Sequence, residues 1–275
     1  MTNMQKGIKI VAICLAIFLI ITIFSWGLSI LSWLTNTNIT GQNEKFTFEE
    51  VYQEIKSIEI DAIDANIKIS SGTEFKVQAQ GMDSNFSSKV RGQKLKIEEK
   101  SNWFSKSSGT IFITIPTGIT LKKLDIDTGA GKFEIIDIQA REFEMNHGAG
   151  ILIIENSIFQ KSEIDGGAGE IEIFSSQFQD LELDAGVGKI EIEAELTGTN
   201  KIECGVGELE LILLGNKEDY SIHSEKGIGT ITIAGEKQKN NITYGTGNQR
   251  IELEGGVGSI KVSFKSKNTS FDDSF

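Results

Sequence analysis

From residue 129 onward, a Gly-x-Gly triplet returns along this chain every 19 residues, with alternating sequence on both sides of it. It reads Gly129-Ala130-Gly131, Gly148-Ala149-Gly150, Gly167-Ala168-Gly169, Gly186-Val187-Gly188 and Gly205-Val206-Gly207. Looser spacing follows, at Gly227-Ile228-Gly229, Gly245-Thr246-Gly247 and Gly256-Val257-Gly258. A fixed short period means stacked structural units, each burying its apolar edge against its neighbours. The chain carries 29 Gly and a single Pro, Pro116. Collagen-like and disordered glycine-rich chains hold far more proline, so these glycines belong to ordered turns.

Aligning the repeats on their glycines exposes the strands. Two residues after each triplet stand Phe133, Leu152, Ile171, Ile190, Leu209 and Ile231; two further on stand Ile135, Ile154, Ile173, Ile192, Leu211 and Ile233. Residues two apart share one face of a strand, so both columns point to one core. Leu124 and Ile126, Phe143 and Met145, Ile164, and Leu181 and Leu183 form the matching columns before the glycines. Each repeat is therefore strand, Gly-x-Gly bend, strand, turn.

Identical columns favour stacking like on like. The expected fold is all-β: a β-solenoid, a parallel β-helix-like stack of units of about 19 residues, with layers about 4.8 Å apart. Glycine suits the corners because it takes positive φ without strain. After Gly205 the triplet spacing becomes 22, 18 and 11, so the end of the stack is expected to depart from the ideal or to cap it, the last interval being about half a coil. Alternation begins at Ser57, with Ile58, Ile60, Ile67 and Ile69. Before it, Phe46–Lys56 has the apolar spacing of a helical turn or two.

Between Lys9 and Glu44 there is no ionisable side chain except Cys14, and residues 10–34 are long and apolar enough to cross a bilayer as one helix. The run is too long for a signal-peptide core, and no small-x-small cleavage site follows it. Lys6 and Lys9 precede it, which predicts a cytoplasmic N-terminus and an extracytoplasmic remainder; Trp26 and Trp33 suit the outer interface. The expected organisation is residues 1–9 cytoplasmic, 10–34 transmembrane, 35–50 linker, 51–265 solenoid with regular repeats from about 121, and 266–275 a polar tail. The formal net charge of −12 argues against nucleic acid and against tight docking on anionic lipid. Of the two cysteines, Cys14 lies in the apolar run and Cys204 in a repeat, so stability comes from stacking and not from a disulfide.

No motif carries recognisable chemistry. Glu134, Glu172, Glu191 and Glu210, interrupted by Ile153, form an outward carboxylate ladder. It reads as a solvated face softened by Lys132 and Lys189; a divalent-cation strip is the rival reading. Asp125, Asp127 and Asp184 precede glycine bends, where Asp is turn chemistry before it is catalysis. His147 and His223 stand in turns without partners at ligand spacing. Asp165–Glu170 lacks the aspartate that a calcium-binding glycine-rich repeat needs, since Ile171 stands there. Three N-glycosylation acceptor triplets begin at Asn38, Asn241 and Asn268. Trp103 and Phe104 centre a loop over Lys100–Thr110. No catalytic, cofactor-binding or metal residue and no cofactor is assigned.

The run Ile111-Phe112-Ile113-Thr114-Ile115-Pro116-Thr117-Gly118, followed by Leu121–Asp127 and Gly129-Ala130-Gly131, resembles the core of the LiaG-like adhesin-domain family. The likeness spans roughly residues 55–263, through the final Gly255–Ile260 unit. It implies a β-solenoid, often membrane-anchored in Gram-positive bacteria and sometimes linked to envelope stress, with no catalytic residues. The expectation is a non-enzymatic, single-span membrane protein facing the cell wall, an interaction or scaffold surface in envelope maintenance or stress response. Its expected partners are the membrane, another envelope membrane protein or cell-wall glycan. The alternative is a protein that binds or cleaves wall polysaccharide.

Overall fold

The computed structural model describes residues 46–82, 86–99 and 109–266. The span expected at 10–34, most of the linker and the tail beyond Ser266 lie outside the described residues. Among the described residues no helix is long and apolar enough to cross a membrane, and one 3-10 turn, Lys217–Asp219, interrupts the strands.

Besides Lys94–Glu99 and Gly109–Pro116, short strands that pair in parallel with Ser57–Gly72, eight layers stack in parallel. In spatial order they are Ser57–Gly72, Thr120–Ile136, Gln139–Glu155, Ile158–Gln179, Leu181–Thr197, Thr199–Leu214, Gln249–Lys265 and Tyr220–Ile233. Each is one long strand bent at its middle, and successive triplets lie in register: Ala130 beside Ala149, Ala149 beside Ala168, Ala168 beside Val187. The two apolar columns after the triplets are buried throughout, Phe133 through Ile231 and Ile135 through Ile233. So are Leu124, Phe143, Leu181, Ile126, Met145, Ile164 and Leu183 before them. All belong to one continuous core. Burying each such side chain contributes about 1.5–3 kcal/mol, which is how units with no disulfide hold together.

Large and small residues alternate within this core. Ala140 shares a layer with Phe143, and Ser162 shares the next with Phe159. Ala140 and Ser162 leave room for the two rings, which stack with centroids 4.5 Å apart. The second corner of the layers carries left-handed residues at the same period, Asp137, Asn156 and Ser175, with φ of 58°, 50° and 49°. There Ser157 Oγ accepts the Ile138 amide at 3.1 Å, and Ser176 Oγ accepts the Ser157 amide at 3.1 Å. A buried hydroxyl ladder thus satisfies backbone donors that the corner releases from the sheet.

The glycines do more than permit a bend. The second of each pair has positive φ, as at Gly188 (153°); the first, as at Gly148, does not. Yet a Cβ on Gly148 would lie 2.4 Å from the Gly129 carbonyl oxygen, and one on Gly188 would lie 1.7 Å from that of Gly169. Both columns are glycine because the neighbouring layer's backbone occupies the space of a side chain.

Three expectations are corrected. Phe46–Tyr52 is a strand, antiparallel to Phe75–Met82, because its alternate residues pack on the sheet; Phe48 lies on the core. Gly245-Thr246-Gly247 is not a layer corner: it lies in the connection between Ile242–Tyr244 and the strand beginning at Gln249. The triplet at Gly256 opens no half-coil either. It corners a full layer, and that layer sits between Thr199–Leu214 and Tyr220–Ile233, so the last two layers stack in reverse chain order.

Candidate interaction faces

Three surfaces follow from the register: an apolar ridge along the Gly-x-Gly corner and one polar face on each side of it. The middle residue of each triplet points outward, giving Ala130, Ala149, Ala168, Val187, Val206, Val257 and Ile228 in spatial order. Val187 is 55% and Ile228 69% exposed. Glycine columns on both sides leave these side chains standing clear, and they grow from Ala to Ile along the stack.

On the face after the corner, Glu134, Ile153, Glu172, Glu191, Glu210 and Lys261 form one column, as the spacing predicts. Lys132 Nζ lies 2.8 Å from Glu134 and Lys261 Nζ 2.5 Å from Glu210, and Lys189 pairs with Glu191. Lys189 is flanked in register by Glu170 and Glu208. Glu134, Glu191 and Glu210 are thus held as ion pairs along the strand or between layers. Such half-exposed pairs are each worth at most about 1 kcal/mol.

The face before the corner is more acidic, and sequence reasoning picked out only fragments of it. Two residues before the triplets run Asp61, Asp127, Asn146, Asp165, Asp184, Glu203, Glu254 and Glu225. Four residues before them run Glu59, Asp125, Glu144, Glu163, Glu182, Lys201 and Glu252, ending at His223. The signal was present: the same glycine alignment, read at outward offsets, gives both columns. Asp125 therefore stands in one column and Asp127 and Asp184 in another. Asp127 and Asp184 are three layers apart, about 14 Å, so the three do not converge. Lys123 holds Asp125 and Glu144 at 3.3 and 2.5 Å. Partial burial, with Glu203 and Asp165 on either side, raises the Asp184 carboxyl above its usual range. Among the described residues no group of three or more His, Cys, Asp or Glu is placed to hold a metal ion.

His147 is buried in the column just inside the corner, its Nδ1 2.9 Å from Thr128 Oγ1 and its Nε2 without a partner. Burial pulls the imidazole below its usual pKa. Above about pH 6.5 both folded and unfolded chains hold it neutral. Below that, the unfolded chain takes up a proton that the fold resists, so stability falls until the folded pKa is passed, by at most about 1.4 kcal/mol per pH unit. His147→Val is expected to flatten this part of the decline between pH 7 and 5, measured by urea unfolding. Identical pH profiles for the two proteins would refute the assignment. His223 is half-buried on its face, with Nδ1 3.2 Å from Thr243 Oγ1. The Asn241 side-chain amide donates to Glu225 at 2.8 Å. Cys204 is buried, and burial raises its thiol pKa, so it is poorly suited to be a nucleophile. Trp103, Phe104, Asn38 and Asn268 lie outside the described residues.

These features define a class: a parallel β-stack whose layers turn on paired glycines and which presents long columnar faces. The chain belongs to the Toastrack DUF4097 family, whose model matches residues 104–263. Among solved structures, a proposed cell adhesion protein from Clostridium sporogenes ATCC 15579 is similar at 16% identity, over 81% of this chain and 100% of the other, with a TM-score of 0.31. A proposed adhesin from Bacteroides fragilis NCTC 9343 is 14% identical over 80% and 97%, with a TM-score of 0.30. A proposed lipid binding protein from Parabacteroides distasonis ATCC 8503 is 16% identical over 81% and 98%, with a TM-score of 0.42. These likenesses are too distant to carry function across. No curated protein matches the chain.

Proposed function

We propose that this chain is a non-enzymatic, membrane-anchored β-stack of the LiaG-like kind, acting as an interaction or scaffold protein at the cell envelope. The observation that carries the reading is the corner ridge. Val187, Val206, Val257 and Ile228 are apolar, exposed and continuous, with no lining of glycine-flanking side chains to cover them. Exposed apolar rows rimmed by charge mark surfaces that meet partners. The apolar run at residues 10–34 supports anchoring by one helix, with the stack on the outer side.

Capture tests this. The full-length chain in a neutral detergent is offered intact wall sacculi and solubilised membranes in parallel. The expected result is recovery of a specific membrane protein by the native chain and its loss from a Val206→Glu, Ile228→Glu double variant that still folds. Retention on sacculi alone, unchanged in the variant, would overturn the reading in favour of glycan binding. Recovery of nothing from either source would leave a passive structural role instead.

A further inference from the structure

A groove lies at the other end of the stack, away from the ridge's large residues. It has a volume of about 1070 Å³ and is lined in part by Val51, Pro116, Ile119 and the buried Phe75. Val51 is 49% and Ile119 41% exposed, which is unusual for large apolar side chains sharing one concave surface.

Three cations line the same groove: Lys56, Lys122 and Arg141. They are register neighbours on three successive layers. The Lys122 amide donates to the Lys56 carbonyl at 2.7 Å. Lys122 and Arg141 are bracketed by the pairs Leu121 with Ala140 and Lys123 with Glu142. Their attachment points are thus about 4.8 Å apart in a row. Like charges at directly opposed positions destabilise a sheet. Other lysines of the stack, Lys123, Lys132, Lys189, Lys201 and Lys261, each hold a carboxylate. Among the described residues, Lys56, Lys122 and Arg141 form no ion pair and no side-chain hydrogen bond. The groove also includes Glu54 and Glu74, but Glu74 already pairs with Lys76 at 3.7 Å. In a chain of net charge −12, a row of three cations, none of them in an ion pair among the described residues, beside an apolar wall is a local reversal of the molecule's own chemistry.

We propose that this groove binds a phosphate-bearing lipid, with the headgroup phosphate on Lys56, Lys122 and Arg141 and the start of the acyl chains against Val51 and Ile119. Arg and Lys together suit phosphate, the one by its forked donors and the other as a point charge. The apolar wall is what separates an amphiphile from a free phosphate. The inference goes beyond the scaffold reading and does not depend on it, since the ridge and the groove share no residue.

The full-length chain in an uncharged detergent is titrated calorimetrically with dihexanoyl phosphatidylglycerol, with dihexanoylglycerol and with glycerol phosphate. The phosphatidylglycerol is expected to bind at least about tenfold more tightly than either half-ligand. Lys122→Glu with Arg141→Glu is expected to weaken it about tenfold or more, and Val51→Ser with Ile119→Ser to bring it toward glycerol phosphate. Lys239→Glu, in the loop at the far end of the stack, is expected to leave it unchanged. All these positions are exposed, and unchanged thermal unfolding of each variant shows that the fold is intact. Glycerol phosphate binding as tightly as the lipid would overturn the amphiphile assignment. Lipid binding unaffected by the Lys122 and Arg141 reversals, or equally affected by Lys239→Glu, would overturn the site.

Discussion

Gly188→Ala is expected to lower the unfolding temperature by about 10 °C or more, whereas Ala168→Val, one layer away on the same corner, is expected to change it by no more than about 2 °C. The two substitutions add one and two methyl-sized groups, so the smaller addition has the larger effect. At Gly188 the new Cβ would sit 1.7 Å from the Gly169 oxygen and 2.8 Å from its carbonyl carbon, with φ at 153°. Neither obstacle is a flexible side chain. Relief requires the fourth and fifth layers to part, which breaks the ladder between Asp165–Ile173 and Asp184–Ile192 locally. Backbone strain alone costs about 1–3 kcal/mol. With the lost hydrogen bonds and packing the total exceeds about 4 kcal/mol, and each kcal/mol moves the midpoint of a domain this size by about 2–4 °C. Ala168 instead points to solvent beside Val187, which already carries the larger side chain at that position. Hydrogen exchange would place the damage: faster exchange is expected in the layers on both sides of Gly188. A Gly188→Ala protein melting within 2 °C of the native chain would show that the layers are held less tightly than the register requires.

Ending the chain at Asn248 is expected to undo the last three of the eight layers, although it removes only the C-terminal segment. Gln249–Lys265 is bonded on one side to Thr199–Leu214 and on the other to Tyr220–Ile233. Its removal takes away Ile251, Leu253, Ile260 and Val262, all buried. It also strips the sixth and eighth layers of one ladder each and deprives Gly198 of the Gln249 side chain that accepts its amide at 2.6 Å. Closing the gap would require Tyr220–Ile233 to drop onto Thr199–Leu214 while still joined to it by the short 3-10 connection at Lys217–Asp219. In an ordinary stack the loss of a last layer leaves the others intact, since each repeat contacts only its neighbours. The expected outcome is rapid proteolysis from about residue 199 onward, with the earlier layers resisting. Uniform protease resistance in the truncated protein would mean that the eighth layer can take the vacated place.

Residues 120–214 were legible because each layer repeats the same constraint on the same residues. Phe133, Leu152 and Ile171 need a core side, and Gly148 and Gly150 need a neighbour's carbonyl against them, so the period survives in sequence. The first layer obeys the same geometry without the signature. There Ile63-Asp64-Ala65 takes the corner, with Asp64 beside Ala130, and no glycine is present. Among the described residues no strand is paired against Ile63 and Asp64 on their outer side; the buried Glu99 carboxylate accepts both amides, at 2.9 and 3.1 Å. With a side-chain carboxylate serving those amides, the glycine signature is absent from this corner. The reversed order of the last two layers left a trace as irregular spacing, but pairing partners are a long-range choice that local pattern does not encode. The cation row was hidden for a similar reason. Lys122 and Arg141 are one period apart, but Lys56 precedes Lys122 by 66 residues and joins the row only through the fold.

Shorter strands finish the stack, several of them antiparallel to their neighbours. Phe86–Arg91 is antiparallel to Lys94–Glu99, and Phe46–Tyr52 and Phe75–Met82 close the same end in alternating directions. Ile242–Tyr244 and Glu236–Lys237 lie antiparallel on Tyr220–Ile233 at the other. Layers as alike as these would accept a further copy of themselves, and an open parallel edge at each end would let molecules join into a fibre whose length followed concentration. Short strands there, one bearing Lys89 and Arg91, break the repeat and make a poorer template. The number of layers is thus written in the sequence, and the ends are built differently from the middle.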